Sequence, residues 1–572
     1  MSNSSRKTQS FLHGSIVLMI ATALVKIIGA IYKIPLYNIL DNTGVGYYTT
    51  VYDLYTPMYT IAMAGLPIAI SKIVAECVSL ERYRDAKRTF KIAKRLMWVT
   101  GTIGFVLMCI LSVPYALFKN TTELIPCVLA IAPCLLFCCV MSSYRGYYEG
   151  LRNMTPTAVS EVIEAAGKLA FGLVLALVLL KVSGNMTLAV CGALGGITLG
   201  TAASAFYLVR KYKKTCSTDI TAEQLRLSPK PRSGDMTLKI IIAMSLPIVL
   251  GSLVTQVTTL IDNLMITARL EAAIGKDYAY IAEKYREIIA SETEIYLKEG
   301  KVFNVTKDLP IILYGSHRGL AFSVYYLVPV LTSVLGVSAI PILASAWAKK
   351  DKKETKASME TVFRTTALVS FPAAFGLIAL GARIVPLLYP GKPLSSGIAG
   401  VNLAILGICA LFSGLTAPTT SMLQAIGKQK IPLINIAVGA VLKIIVNFVL
   451  VGTPSINIMG VPIGTTVCYA YICIMNIMML FKHSKVRPSL FGCIIKPFVA
   501  AGACGLSAYA ASALLSKVTS SNFIVTVLSI IIAVAVYLIC VILFKIIKKS
   551  DIISLPKGEK IVKVLEKIGA IG

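Results

Sequence analysis

The chain has 572 residues, of which 56% are hydrophobic and only 15% are charged, and its mean hydropathy is +0.77. Soluble domains are typically about 45–50% apolar, so this composition excludes an ordinary soluble protein and predicts an integral membrane protein. The formal net charge of +29 lies in clusters between apolar stretches. That arrangement is typical of membrane topology signals and argues against nucleic-acid binding.

Apolar stretches of about 20 residues, the length that crosses ~30 Å of hydrocarbon, recur along the whole chain. Backbone in lipid must satisfy its own hydrogen bonds, so these stretches predict an all-α membrane protein with about fourteen transmembrane helices. The predicted spans lie near 11–40, 49–79, 89–118, 124–145, 156–180, 185–210, 237–268, 319–346, 359–380, 397–424, 431–452, 459–481, 493–516 and 521–546.

Basic residues follow alternate spans, with dense clusters at 82–95, 210–214 and 349–353. The connections on the other side carry few lysines or arginines. Because basic loops stay on the cytoplasmic side, this alternation predicts that both termini are cytoplasmic and that the chain is a multi-pass protein of the bacterial plasma membrane.

An internal repeat relates the two halves of the chain. The motif around Pro67 recurs around Pro341, and Lys168 recurs as Lys443, at offsets of 274 and 275 residues. Two parallel repeats are a common plan among transporters. The repeat therefore predicts two pseudo-symmetric lobes of six helices, followed by two additional C-terminal helices.

The domain boundaries follow from the repeat and from the polar segments. We expect an N-terminal six-helix lobe at 1–210, a cytoplasmic linker at 211–236, a second six-helix lobe at 237–482, two further helices at 483–546 and a cytoplasmic tail at 547–572. The second lobe carries a polar external insertion at 269–318. Its sequence fits a solvated hairpin and a gating or substrate-entry element equally well.

Ionisable groups inside membrane helices cost at least ~2.5–3.5 kcal/mol on insertion scales, so they usually face a cavity or a partner. Glu161, Glu164 and Lys168 share one helix face, and the alternative for them is a local Glu164–Lys168 ion pair. Asp262 fits a coupling-ion ligand or a charge partner. The predicted substrate-binding residues are Lys26, Lys72, Glu161, Glu164, Lys168 and Lys443.

Three prolines lie within predicted spans: Pro67, Pro247 and Pro341. A proline removes one backbone hydrogen bond from a helix interior, so these positions are predicted hinges, with static packed kinks as the alternative. No HExxH, Walker or GxSxG motif occurs, and the 14 cysteines include no CxxC pair. We expect neither an enzyme nor a metal or other cofactor.

Several strings resemble one family. They are Val25-Lys26-Ile27-Ile28-Gly29, Gly65-Leu66-Pro67-Ile68-Ala69-Ile70-Ser71-Lys72 with Ile73-Val74-Ala75-Glu76, and Tyr144-Arg145-Gly146-Tyr147-Tyr148-Glu149-Gly150. They resemble the polysaccharide flippase branch of the MATE-like (MOP) exporter superfamily, in its stage V sporulation protein B and MurJ-like group.

The resemblance implies two lobes around a central cationic cavity that accepts the headgroup of an undecaprenyl-pyrophosphate-linked sugar. It implies a headgroup role for Lys26, because lipid II flippases carry an arginine there. Near Tyr59 and Tyr326 this chain has tyrosines where those relatives have arginines. The implied partners are the lipid-linked oligosaccharide, membrane lipids and cell-wall synthesis proteins.

The leading hypothesis is therefore a flippase for a lipid-linked peptidoglycan or polysaccharide precursor that works by alternating access. One alternative is a cation-coupled multidrug exporter of the MATE type, which a Na⁺ or H⁺ site at Asp262 would favour. The others are a membrane-embedded cell-wall glycosyltransferase, which sugar transfer by the purified protein would reveal, and a non-transporting scaffold.

Overall fold

The computed structural model describes residues 31–63, 65–298 and 300–547, together with residues 21, 24, 25, 28 and 29. Within these residues the chain is almost entirely α-helical and contains no strand, so the all-α fold predicted from the apolar spans is confirmed. The chain divides into two compact units, Met1–Leu264 and Met265–Gly572. Each unit has its own apolar core.

The first unit contains the helix α1 at residues 31–39, and the described residues 21, 24, 25, 28 and 29 before it are also helical. Its other helices are α2 (Asn42–Met63), α3 (Leu66–Ser79), α4 (Tyr83–Phe118), α5 (Leu124–Ile131), α6 (Cys134–Gly150), α7 (Thr155–Ser183), α8 (Met186–Asp219) and α9 (Ala222–Leu227). The long helix α10 (Gly234–Lys276) starts in the first unit and ends in the second.

The second unit continues from α10 through three short helices and a π-helical turn at Ser316–Ala321. Its helices are α11 (Tyr278–Lys284), α12 (Arg286–Lys298), α13 (Val305–Gly315), α14 (Phe322–Tyr325), α15 (Leu327–Ala348), α16 (Lys352–Leu388), α17 (Pro393–Ala425), α18 (Lys430–Val451), α19 (Gly460–Ser484), α20 (Lys496–Val518) and α21 (Asn522–Leu543).

Within the described residues, ten helices are long and apolar enough to cross a membrane. They coincide with the third to sixth and the ninth to fourteenth predicted spans, with α5 and α6 together forming one span, Leu124–Gly150. The chain is therefore a multi-pass membrane protein. The total of fourteen spans and the cytoplasmic position of both termini stay predictions.

The second predicted span, 49–79, is not one continuous helix. The helix α2 ends at Met63 and α3 begins at Leu66, so Pro67 lies in the first turn of α3. A proline there costs no helical hydrogen bond, because the first N–H groups of a helix have no acceptor within it. The expectation that Pro67 interrupts a helix is therefore wrong.

The break between α2 and α3 allows a close approach to α10. A Cβ atom on Gly65 would lie 2.5 Å from the carbonyl oxygen of Ser245 and 2.8 Å from Cγ2 of Val249. Both distances are far below ordinary van der Waals contact. Glycine at position 65 therefore permits the contact that brings the start of α3 against α10.

The predicted cytoplasmic linker is folded against α4. Thr221 caps α9 through a capping box with Gln224, which stabilises a short helix that would otherwise be marginal. The guanidinium Nε of Arg84 donates to the carbonyl oxygen of Leu225 at 2.8 Å, and the backbone N–H of Arg232 donates to Oδ1 of Asp85 at 2.7 Å. These contacts place the linker with the first unit.

The polar insertion is packed as well. Its buried side chains include Ile281, Tyr285 and Ile288, which share an apolar cluster with residues near the α18–α19 connection. The Tyr285 hydroxyl donates to Oδ1 of Asn457 at 3.1 Å, and Nζ of Lys284 donates to the carbonyl oxygen of Ser455 at 2.7 Å. A freely solvated hairpin would lack such contacts.

Candidate functional site

The helix α7 carries three of the predicted site residues, Glu161, Glu164 and Lys168, all half-buried. Their spacing of three and four residues places them on one face of the helix. The structure thus brings these three together, as the sequence predicts. Their partners come from other helices.

Glu164 pairs with Arg145 of α6. The distance from Nη2 of Arg145 to Oε2 of Glu164 is 2.9 Å, and the two side chains are 10% and 25% exposed. Nε of Arg145 donates to the hydroxyl of Ser160 at 2.8 Å. The alternative of a Glu164–Lys168 ion pair is therefore wrong, because the Glu164 carboxylate pairs with the guanidinium of Arg145 and not with the ammonium of Lys168.

Arg145 was absent from the residues predicted to form the site. It lies within the apolar stretch Leu124–Gly150, and an arginine there is the kind of costly intramembrane charge that signals a function. Sequence alone could have selected it by that criterion, but its partner lies on the next membrane-spanning helix.

Two glycines beside Arg145 fix the position of α6. A Cβ atom on Gly146 would lie 2.7 Å from the carbonyl oxygen of Pro67, and one on Gly150 would lie 2.8 Å from that of Ser71. Glycines four residues apart let two membrane helices approach closely. In the sequence Arg145-Gly146, the arginine thus supplies a buried charge and the glycine allows α3 to pack closely against α6.

Lys168 contacts two tyrosines. Its Nζ donates to the hydroxyl of Tyr52 at 3.4 Å and lies 5.0 Å from the centre of the Tyr52 ring and 5.6 Å from that of Tyr32. Within the described residues it forms no ion pair with a carboxylate. Aromatic faces attract the ammonium group but leave its net charge in place.

A cavity of about 210 Å³ opens beside Lys168 within the first unit. Three helices supply its walls, and the polar groups that face it are hydroxyls, one carboxylate and one ammonium. Its lining residues are Tyr52, Tyr55, Thr56, Tyr59, Thr60, Glu164, Lys168, Ile197 and Thr201.

The cavity wall on α2 is a ladder of tyrosines. Tyr52 stacks on Tyr48 with ring centres 5.8 Å apart, and Tyr55 lies 6.0 Å from Tyr52 and 5.6 Å from Tyr59. Residues three and four apart stand on one helix face, so the spacing in the sequence builds this ladder directly. Stacked rings hold each other in fixed orientations and make the wall rigid.

The second unit contains a similar tyrosine–cysteine contact. The Tyr55 hydroxyl lies 3.1 Å from Sγ of Cys134, and the Tyr325 hydroxyl lies 3.2 Å from Sγ of Cys409. The two cysteines are 275 positions apart in the sequence, the same offset as Lys168 and Lys443, whereas the two tyrosines are 270 positions apart. The same kind of contact therefore occurs in both units, with the tyrosine shifted by five positions relative to the repeat.

The position of the ion pair is neutral in the second unit. At the same offset, Arg145 and Glu164 correspond to Thr420 and Gly439. An amide chain lies there, in which Nδ2 of Asn435 donates to Oδ1 of Asn476 at 2.8 Å and Nδ2 of Asn476 donates to Thr420 at 3.1 Å. Lys443 is half-buried on α18.

The remaining predicted site residues lie elsewhere. Lys72 is exposed on α3, and Asp262 is buried on α10 with 7% of its surface exposed. Pro247 and Pro341 lie inside the helices α10 and α15. Lys26 lies outside the described residues. Across the part of the chain that the structure describes, no group of three or more His, Cys, Asp or Glu is placed to hold a metal ion.

Comparison with known proteins identifies families to which this chain is similar. The family model described as "Polysaccharide biosynthesis protein" matches residues 11–289, and the model described as "MatE" matches residues 318–449. The chain belongs to the MOP superfamily. This MOP protein is a multi-pass membrane protein.

Two curated relatives of the MOP protein come from Bacillus subtilis (strain 168). Stage V sporulation protein B is 23% identical over 96% of this chain and 98% of its own length. Lipid II flippase MurJ is 23% identical over 83% of this chain and 84% of its own. A solved structure of lipid II flippase MurJ in an inward closed conformation matches with a TM-score of 0.62, at 16% identity over 92% of this chain and 98% of that one.

Proposed function

We propose that this protein is a flippase that moves a lipid-linked peptidoglycan or polysaccharide precursor, carried on undecaprenyl pyrophosphate, across the plasma membrane by alternating access. The observation that carries the proposal is the ammonium group of Lys168, which lines a cavity inside a membrane-spanning unit without a carboxylate partner among the described residues. The similarity to flippases of lipid-linked substrates supports it.

The charges in the first unit favour an anionic ligand. Arg145 and Glu164 neutralise each other across 2.9 Å, so Lys168 is the remaining charged group among the residues that line the cavity. A lone ammonium away from bulk water is unfavourable unless an anion meets it. A pyrophosphate would supply that anion, and Lys can bind it as a point charge.

The proposal extends to the equivalent position in the other repeat. Lys443 corresponds to Lys168 by sequence offset, and we assign it to the same headgroup together with Lys26. An anion that leaves a negative-inside cell gains about 2.3 kcal/mol per charge per 100 mV. The membrane potential alone therefore favours outward movement, and no covalent step is needed.

The decisive experiment is reconstitution of the purified protein into vesicles with a panel of lipid-linked sugars. The measurement is the rate at which each lipid reaches the far leaflet, scored by a membrane-impermeant reagent. We expect Lys168→Ala to slow this rate about tenfold or more, as the loss of a charge-assisted contact of 1.5–3 kcal/mol implies. Lys181→Ala, an exposed lysine at the end of the same helix, should leave the rate unchanged.

Two results would contradict the proposal. One is an absence of translocation for every lipid-linked sugar in vesicles that contain folded protein. The other is an equal effect of Lys168→Ala and Lys181→Ala. In cells, Lys26→Ala should abolish complementation of a flippase-depleted strain at an unchanged protein level in the membrane.

A cation-coupled exporter of the MATE type is the second candidate. It is favoured by the MatE match over residues 318–449 and by the burial of Asp262. Vesicles that accumulate a cationic dye in response to a Na⁺ or H⁺ gradient, and that lose this activity in Asp262→Asn, would support it over the flippase.

A further inference from the structure

We propose that the cavity of the first unit is a monosaccharide subsite that takes one neutral pyranose ring of the transported headgroup. The inference rests on the proposed function and adds to it, because it assigns this cavity to the sugar and leaves the pyrophosphate to Lys168 and to groups outside the cavity. It follows from the hydrogen-bonding capacity of the lining side chains.

The threonines of the cavity present acceptors. The Thr56 hydroxyl donates to the carbonyl oxygen of Tyr52 at 2.7 Å, that of Thr60 to Thr56 at 2.9 Å, and that of Thr201 to Ile197 at 2.9 Å. Each hydroxyl has a single proton and two lone pairs. With the proton used on the backbone, these oxygens can only accept from a ligand, and the Thr201 oxygen already accepts one bond from Sγ of Cys134 at 3.3 Å.

The tyrosines and the lysine present donors. The Tyr52 hydroxyl accepts from Nζ of Lys168, so its own proton is available. Within the described residues the Tyr59 hydroxyl has no hydrogen-bond partner, although its ring packs on Tyr55. The ammonium of Lys168 has three N–H bonds, of which one points to Tyr52. The cavity lining therefore contains both donors and acceptors.

This mixture suits a neutral polyhydroxylated group inside the cavity and leaves the pyrophosphate to Lys168. A free anion enclosed among the lining side chains would face the Glu164 carboxylate and the three accepting threonines, whereas a cation would face Lys168 with Arg145 behind Glu164. A group that carries several neutral hydroxyls can donate to the threonines and Glu164 and accept from the tyrosines. A sugar ring carries such hydroxyls around its edge.

The volume of the cavity suits one ring. It is about 210 Å³, which corresponds to roughly seven waters at ~30 Å³ each and lies below the ~300–1,000 Å³ of pockets for drug-sized ligands. The cavity is open, so the rest of a headgroup would extend beyond it. One pyranose ring can satisfy the lining groups with its own hydroxyls in place of solvent, which favours binding.

The test measures the translocation of two lipids by variants that each lack one side-chain hydroxyl but keep the shape and charge of the side chain. The lipids are undecaprenyl pyrophosphate and undecaprenyl pyrophosphate that carries one N-acetylglucosamine. The variants are Thr56→Val and Tyr59→Phe in the full-length protein in vesicles. Thr102→Val is the matched control, because Thr102 makes the same backbone bond, to Trp98 at 2.8 Å, but is exposed on α4.

We expect Thr56→Val and Tyr59→Phe each to lower the translocation rate of the glycosylated lipid by about twofold to tenfold, which is the effect of losing one neutral hydrogen bond. The rate for undecaprenyl pyrophosphate should not change. An equal loss for both lipids, or no loss for either, would overturn the sugar subsite. In both of these cases the proposed flippase activity would still stand.

A binding measurement separates the inference from the activity. Saturation-transfer NMR should show free N-acetylglucosamine bound to the wild-type protein, and this signal should weaken in Tyr59→Phe and persist in Thr102→Val. If the wild-type protein translocates neither lipid but this pattern is seen, the flippase proposal fails and the sugar site stands. Binding of Na⁺ to the purified protein, with no signal from the sugar, would make this a cation site.

Discussion

Arg145 of α6 and Glu164 of α7 form an ion pair across 2.9 Å inside the first unit. The guanidinium also donates to Ser160, so two of its nitrogen atoms are fixed on α7. The pair joins two membrane-spanning helices and leaves Lys168, one turn further along α7, without a carboxylate. The charge balance of the whole cavity therefore depends on this one contact.

The first prediction concerns the stability of that pair. Glu164→Gln should lower the free energy of unfolding by about 1–3 kcal/mol, because it leaves a largely buried guanidinium without its counter-charge. The thermal unfolding temperature of the purified protein measures this. Glu76→Gln, an exposed carboxylate on α3, should change stability by less than about 0.5 kcal/mol.

A double variant provides the control for this prediction. Arg145→Gln combined with Glu164→Gln removes both charges and should recover part of the lost stability, since neutral side chains of similar shape can replace a buried pair. If Glu164→Gln unfolds at the same temperature as Glu76→Gln, the pair does not stabilise the fold.

The second prediction tests the docking of α6 on α3. Gly146→Ala should destabilise the protein by about 1–3 kcal/mol, because its Cβ atom would lie 2.7 Å from the carbonyl oxygen of Pro67 and the backbone must move. Gly104→Ala on α4 is the matched control, since its Cβ atom would meet Leu135 at an ordinary 3.4 Å. That change should be neutral or stabilise the helix by up to about 1 kcal/mol. Equal unfolding temperatures for the two variants would contradict the close contact.

The third prediction concerns the insertion. Burial raises the pKa of Tyr285, so its hydroxyl stays protonated and donates to Asn457. Tyr285→Phe should therefore speed amide hydrogen exchange in α11 and α12 by about fivefold, the equivalent of one hydrogen bond of ~1 kcal/mol. Tyr280→Phe, whose side chain is exposed, should leave the exchange rates unchanged. Rapid exchange throughout the insertion of the unmodified protein would show that it is not packed.

The fourth prediction tests the membrane topology. In a background without the native cysteines, Lys301→Cys in the insertion should react with a membrane-impermeant maleimide added to intact cells. Lys214→Cys near the end of α8 should react only after the membrane is opened, because it belongs to a basic segment that the positive-inside rule predicts to be cytoplasmic. Both positions lie in exposed parts of the chain. The reverse pattern would invert the predicted orientation.

Much of the candidate site is visible in the sequence. The common face of Glu161, Glu164 and Lys168 and the tyrosine ladder of α2 both follow from a period of 3.6 residues. The ten apolar helices follow from hydropathy. These properties are local, because each depends on residues within one or two helical turns, and local patterns can be read without knowing which helices are neighbours.

The partners of these residues depended on the tertiary structure. The sequence offered Lys168 to Glu164, four positions away, but the packing of Gly146 and Gly150 on α3 brings Arg145 to that carboxylate from 19 positions away. The apolar composition determines that this chain forms membrane helices. Which charged side chain pairs with Glu164 depends on which helix backbones can approach closely. Those approaches exist only once the helices have assembled.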